Sequence, residues 1–289
     1  MTPLAGPREW PAPPSNRDRA FRAVGGALAG ALAVAFVAVA AALVNHARGP
    51  TPHELALFGG TLIAAGMATV AAAPIALGVA LYVVDLGPSR GRRPVAAIVE
   101  LMTVVPPVVY GLWGAVAISP RVDAACASWL SAWSDAERAR VAGLVSAAVM
   151  LTLMIAPTVA SQAAQVLRAA PPGAREAATG LGGTRWDIFL HVILPRTRWG
   201  LLGAVALGLG RAMGEGVAVA LATGCVGQDA RAPLTAAGAM VNGLETARAS
   251  GDWRSLGALG LGLFVMTLAS NMIGRALVDR VRNARRPGT

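Results

Sequence analysis

Apolar residues in this chain come in long runs, and the charged residues fall between them. A helix that crosses the hydrocarbon core of a bilayer needs roughly 20 apolar residues. The runs Val24–Val44, Phe58–Val84, Val95–Ile118, Val141–Ala160, Leu201–Thr223 and Leu256–Val278 all have that length. The pattern therefore predicts an all-α polytopic membrane protein with six transmembrane helices. Pro74, Pro106, Pro107 and Pro157 lie inside these runs. Proline is tolerated there when neighbouring helices or water satisfy the freed carbonyls. The Pro106-Pro107 pair is expected to break or kink the third span and turn carbonyls towards the bundle interior.

The remaining segments divide the chain. Residues 1–22 are rich in Pro and Arg without apolar periodicity and read as a flexible cytoplasmic tail. Residues 23–57 carry the first helix and an extracytoplasmic loop, residues 58–281 form the rest of the transmembrane domain, and residues 282–289 are a cytoplasmic tail. A cleaved signal peptide is the competing reading of the start. Its apolar region would span about 7–15 residues, whereas the first run here has 21, which favours a retained helix.

Composition agrees with a membrane protein. The chain is 55% hydrophobic and only 14% charged, against about 25% charged in soluble domains. All 25 basic residues are arginine. Without lysine there is no phosphate-binding P-loop and no Schiff-base chemistry, so ATP hydrolysis would have to come from another chain. With both termini placed in the cytoplasm, 17 arginines lie on the cytoplasmic side and seven outside, the remaining one being Arg211 within a span. That asymmetry sets the orientation. The net charge of +10 is thus a topology signal, and it marks the lipid bilayer, not nucleic acid, as the partner.

Between the fourth and fifth spans lies a long cytoplasmic segment, 161–199. It contains Glu176-Ala177-Ala178, then Gly182, then Val192-Ile193-Leu194-Pro195. This resembles the EAA signature of ABC-importer permeases, EAA-x3-G-x9-I-x-LP, with Val192 in place of the isoleucine. Physically, a short helix from Arg175 to about Leu181 would end at Gly182-Gly183, where glycine permits a sharp turn. A second helix from Thr184 would run to Leu194, and Pro195 is expected to prevent its extension. Trp186, Phe189 and Trp199 beside arginines also suit an amphipathic loop at the membrane surface. The resemblance implies a type I ABC-importer permease fold. It also implies that Glu176, Ala177, Ala178, Gly182 and Arg185 couple the chain to an ATPase.

A second set of residues is similar to the permeases of the phosphate-specific (Pst) importer, more to the C-type than to the A-type. It comprises Pro74–Gly78, Glu100-Leu101, Val105–Gly114, Gly210–Glu215 and Leu263–Thr267. Pro107 stands where that family usually has serine, and Gly216 where it has threonine. The resemblance implies a bacterial inner-membrane permease for inorganic phosphate. Its implied partners are a related A-type permease, two ATPase subunits and an extracytoplasmic phosphate-binding protein. A permease for another oxyanion keeps the same coupling loop. A secondary carrier or membrane scaffold leaves the EAA register unexplained.

Arg211 lies about ten residues into the fifth span, roughly 15 Å along its helix. A charge at that depth is costly unless it faces protein or water. Glu215 follows at i+4, on the same face of a continuous helix. The pair could neutralise itself. Alternatively Arg211 lines the substrate path, its planar fork meeting an oxyanion, with Glu215 tempering its hold. Glu100, near the cytoplasmic end of the third span, is expected to pair with Arg90, Arg92 or Arg93. Tyr110 and Trp113 read as interface anchors. Cys126 and Cys225 both fall outside, where a disulfide would persist. The three histidines show no metal-ligand spacing, and neither a catalytic set, a metal site nor a cofactor is proposed.

Overall fold

The chain divides into two compact units, Met1–Asn45 and His46–Thr289. A computed structural model describes residues 51–224 and 253–283, with residues 34, 37, 38 and 41 and parts of 234–244. The expected tail 1–22, most of the expected first span, Cys225 and residues 284–289 lie outside the described residues. In the second unit the described elements are all helical.

The first long helix, α1 (Pro52–Leu81), continues through a π-helical segment, Tyr82–Leu86. Thr51 caps its start. The Thr51 hydroxyl accepts from the Glu54 amide, and the Glu54 carboxylate accepts from the Thr51 amide at 2.7 Å, a reciprocal capping box. The helix therefore begins before Phe58. Helix α2 (Ser89–Val104) stops at Val105–Pro106, and α3 (Pro107–Trp113) leads through a second π segment, Gly114–Ile118, into α4 (Ser119–Trp129). Helix α5 (Asp135–Arg168) opens on a Ser134/Glu137 capping box and runs past Pro157. Two short helices, α6 (Pro172–Gly180) and α7 (Arg185–Asp187), precede a third π segment, Ile188–Ile193. Helices α8 (Leu194–Met213), α9 (Val217–Ala222) and α10 (Arg254–Asn283) complete the unit.

Helices α1 and α5 pack along an alanine seam. Ala64, Ala68, Ala72, Ala76 and Ala80 recur every fourth residue of α1, and each is at most 1% exposed. Small side chains at that spacing line one face and let two helix backbones approach closely. On the α5 side Ala147, Leu151, Met154 and Ile155 fill the same cluster. The Thr152 hydroxyl, already donating to Ala148, also reaches the Ala68 carbonyl at 3.3 Å. Helices α8 and α10 approach as closely. A Cβ on Gly203 would fall 2.8 Å from the Gly274 carbonyl oxygen, and Ser270 donates across the pair to Ala206 at 3.0 Å.

Four described helices are long and apolar enough to cross a membrane, or five if the bent α2–α4 pair forms one span. The break expected at Pro106-Pro107 is present: the two legs of the third span meet at 92°, because both prolines lack the amide that would continue the ladder. Three expectations need correction. The second leg does not end at Ile118 but continues as helix to Trp129. The fifth span breaks as well, at Gly214–Gly216, between α8 and α9. Finally, Pro195 does not end a helix. The π segment before it brings the Leu194 amide to the Phe189 carbonyl, and Pro195 enters α8 in its first turn, where no amide is needed.

Candidate functional site

The two helix breaks meet. Helix α3 packs on α9 so closely that a Cβ on Gly111 would lie 2.7 Å from the Ala218 Cα. The Ser119 hydroxyl donates to the Ala222 carbonyl at the far end of the same contact. Tyr110, next to that contact, stands within electrostatic range of Arg211. Its hydroxyl donates to the Met102 carbonyl at 3.0 Å, across the Val105–Pro106 break. Irregular backbone at membrane depth is tolerated where it is buried in protein or lines a water-filled cavity, and paired breaks of this kind are a recurrent way to build polar sites between membrane helices.

Arg211 occupies the last turn of α8, where a cation complements the helix dipole. Its neighbours Ala212 and Met213 are buried in the central cluster while Arg211 itself is exposed. The expected i+4 pair with Glu215 does not form among the described residues. The break at Gly214–Gly216 turns Glu215 off the α8 face, and its carboxylate stands near the Ala218 amide at the start of α9. Arg211 remains within electrostatic range of Glu215, with no hydrogen bond of its own among the described residues. A guanidinium so placed can offer its fork to an oxyanion. Tyr110 was missed as part of this group because an anchor and a site residue look alike until α3 is laid against α9.

The coupling segment is built from two capped turns. Helix α6 carries Glu176, Ala177 and Ala178 and ends in a Schellman motif. Gly182 takes φ +83°, its amide donates to Thr179 at 2.9 Å, and the Gly183 amide donates to Ala178 at 3.1 Å. Thr184 then caps α7, exchanging hydrogen bonds with Asp187. The glycine of the EAA signature is thus the residue that the left-handed turn requires. Glu176, Ala177, Gly182 and Arg185 are exposed, and Leu181 is 90% exposed. Behind them Ile193, Leu201, Ala163 and Leu167 form a closed cluster, so the exposed row sits on a rigid base. Arg175, on the inner side of α6, bridges to Asp85 and donates to the Leu167 carbonyl at 2.9 Å. Burial draws the Arg175 guanidinium below its ordinary value.

Other expectations fare unevenly. Glu100 makes no ion pair among the described residues; it lines a cavity of about 130 Å³ with Ser161, Gln165 and Arg168. Arg92, one of its expected partners, instead donates to the Val84, Asp85 and Gly87 carbonyls. Trp113 is half exposed, as an anchor would be. Cys126 is free and half-buried on α4.

Residues 74–286 match the family described as binding-protein-dependent transport system inner membrane component. The chain is 34% identical over 243 residues to the phosphate transport system permease protein PstC of Haemophilus influenzae, covering 78% of this chain and 76% of that one. It is 33% identical to PstC of Mesorhizobium japonicum, covering 78% and 73%. It is 31% identical to PstC 1 of Mycobacterium tuberculosis, covering 84% and 77%. Among solved structures, an inward-facing MetNI methionine ABC transporter aligns with TM-score 0.59 at 22% identity, over 81% of this chain and 99% of that one. At that identity the likeness speaks for the fold.

Proposed function

Because the chain belongs to the family of binding-protein-dependent transport system inner membrane components, we propose that it is the permease subunit of an ATP-driven importer and that it carries inorganic phosphate across a bacterial inner membrane. The relatives named as phosphate permeases, matched over most of both chains, support the substrate. The observation that carries the mechanism is the exposed, uncommitted Arg211 where the two helix breaks meet.

In this reading the membrane domain has six spans. Val24–Val44 is the first, the α2–α4 pair is a broken third, and α8–α9 a broken fifth. Both termini are cytoplasmic, in keeping with the arginine asymmetry. Phosphate arrives from an extracytoplasmic binding protein and meets Arg211, whose fork matches two phosphate oxygens. Glu215, beside it, weakens that hold so the anion can leave; transport needs release as much as binding. Two ATPase subunits hydrolyse ATP. Their closure reaches this chain through Glu176, Ala177, Ala178, Gly182 and Arg185, and a related A-type permease completes the path.

Pro107 and Gly216 favour a second reading, another oxyanion, since they remove two hydroxyls from the neighbourhood of Arg211. One experiment separates the readings. Radiolabelled phosphate uptake is measured in a strain lacking its own permease and supplied with this chain and its partners. Uptake that unlabelled phosphate blocks, and that sulfate and molybdate leave intact, supports the phosphate permease. Equal competition by sulfate or molybdate selects the second reading.

A further inference from the structure

Asp85 and Arg175 are 90 residues apart in sequence and form an ion pair at the base of the coupling segment. Asp85 lies in the π segment that ends α1. Its side chain is 13% exposed, and its second carboxylate oxygen is buried without a hydrogen-bond partner among the described residues. Arg175 alone therefore holds that carboxylate. The other arm of the same guanidinium donates to the Leu167 carbonyl, in the last turn of α5. The Leu167 carbonyl also accepts from the Ala170 amide at 3.1 Å, so the arginine takes its second lone pair at a helix end that carries partial negative charge. One arginine of α6 thus binds the C-terminal ends of the two long helices that share the alanine seam.

A second arginine stiffens one of those ends. Arg92, from the first turns of α2, donates to the Gly87 carbonyl at 2.6 Å, to Val84 at 3.0 Å and to Asp85 at 2.6 Å. It fixes the backbone that presents Asp85 and leaves the carboxylate to Arg175. On α6 itself, Arg175 is directed inward while Glu176 and Ala177 are exposed. Force applied to the outer row has a direct polar connection to α1 and α5 through this residue.

We propose that the Asp85–Arg175 pair is the joint through which the coupling helix moves α1 and α5, which makes Arg175 and Asp85 positioning residues for energy coupling. This rests on the importer reading above. Removing either partner frees α6 from the helix ends, so the ATPase still turns over while less substrate crosses per ATP.

The test uses the assembled complex in proteoliposomes with Asp85→Asn, Arg175→Gln and the double variant. Two quantities are read: hydrogen exchange of the α6 amides, which does not depend on the substrate, and phosphate transported per ATP hydrolysed. Each single change is expected to speed exchange in α6 by about ten-fold, with α8 unchanged. Transport per ATP should fall by about five-fold or more, with hydrolysis within about two-fold of the unaltered chain. The double variant should lose no more than the worse single one, as for two ends of one contact. Unchanged α6 exchange, an unchanged transport ratio, or additive losses in the double variant would each overturn the joint. Arg175→Lys keeps the charge and loses the second arm. It should fall between the unaltered chain and Arg175→Gln, and it decides the question if the glutamine variant does not assemble. An unaltered complex that hydrolyses ATP without moving phosphate refutes the substrate reading alone, because α6 exchange still decides the joint.

Discussion

The Tyr110 hydroxyl donates to the Met102 carbonyl at 3.0 Å and so bridges the two legs of a helix that bends by 92°. Pro106 and Pro107 leave the last carbonyls of α2 without amide partners, and Tyr110 supplies one donor. Tyr110→Phe removes only that donor. Hydrogen bonds between membrane helices are worth about 0.6–2 kcal/mol. The variant is therefore expected to melt a few degrees lower in detergent, by about 2–6 °C, while still transporting. A melting temperature equal to that of the unaltered chain would show that water or lipid satisfies Met102 as well.

Gly111 fixes how far apart α3 and α9 stand. In Gly111→Ala the new Cβ would lie 2.7 Å from the Ala218 Cα and 3.1 Å from the Leu221 Cδ1. Overpacking of this kind costs about 1–3 kcal/mol, and the two backbones must separate to relieve it. The meeting of the two helix breaks beside Arg211 would open. Phosphate uptake is expected to drop by about an order of magnitude, with the complex still assembled on a sizing column.

Arg211→Gln shortens the side chain and removes its charge while leaving a polar amide. Uptake should be lost, while ATPase association and basal hydrolysis persist. Arg211→Lys retains the charge without the planar fork and should recover only part of the uptake. Phosphate transport by the glutamine variant at the rate of the unaltered chain would remove Arg211 from the path.

Gly182 is the position where the coupling turn needs left-handed backbone, at φ +83°. A side chain there costs about 1–2 kcal/mol. Gly182→Ala is expected to reduce co-purification of the ATPase subunits, and Gly182→Asn to do so less, since Asn tolerates this conformation. Gly180→Ala is the control. It lies in α6, nothing stands within 4 Å of its added carbon, and helix propensity favours alanine. Its ATPase binding should match or exceed that of the unaltered chain.

The parts of this architecture written in local chemistry were readable in the sequence. Runs of Ala, Val and Leu marked the long helices, and Glu176 through Pro195 marked the coupling segment with its turn at Gly182. What a single strand of text hides is where a helix of adequate apolar length breaks. Gly214-Glu215-Gly216 lies inside an unbroken apolar run, so Arg211 and Glu215 were read as sharing one face at i+4. The two glycines around an acid were the available signal. Pro195 misled in the opposite direction: its missing amide is absorbed by the π segment before it, a longer-range accommodation that propensity does not register. The meeting of Tyr110 with Arg211, and of Asp85 with Arg175, depends on how helices distant in sequence are laid together, which nothing local encodes.

The alanine seam of α1 also makes the mutational record of this helix asymmetric. On the face away from α5, Leu62, Ile63 and Val70 are exposed, and one apolar residue can replace another there with little consequence. Along Ala64, Ala68, Ala72, Ala76 and Ala80 every larger side chain collides with a helix already in contact, and only glycine is smaller. Sequence drift in this chain will accordingly accumulate on one side of α1 and stall on the other, so that divergent copies keep a row of alanines through an otherwise altered helix.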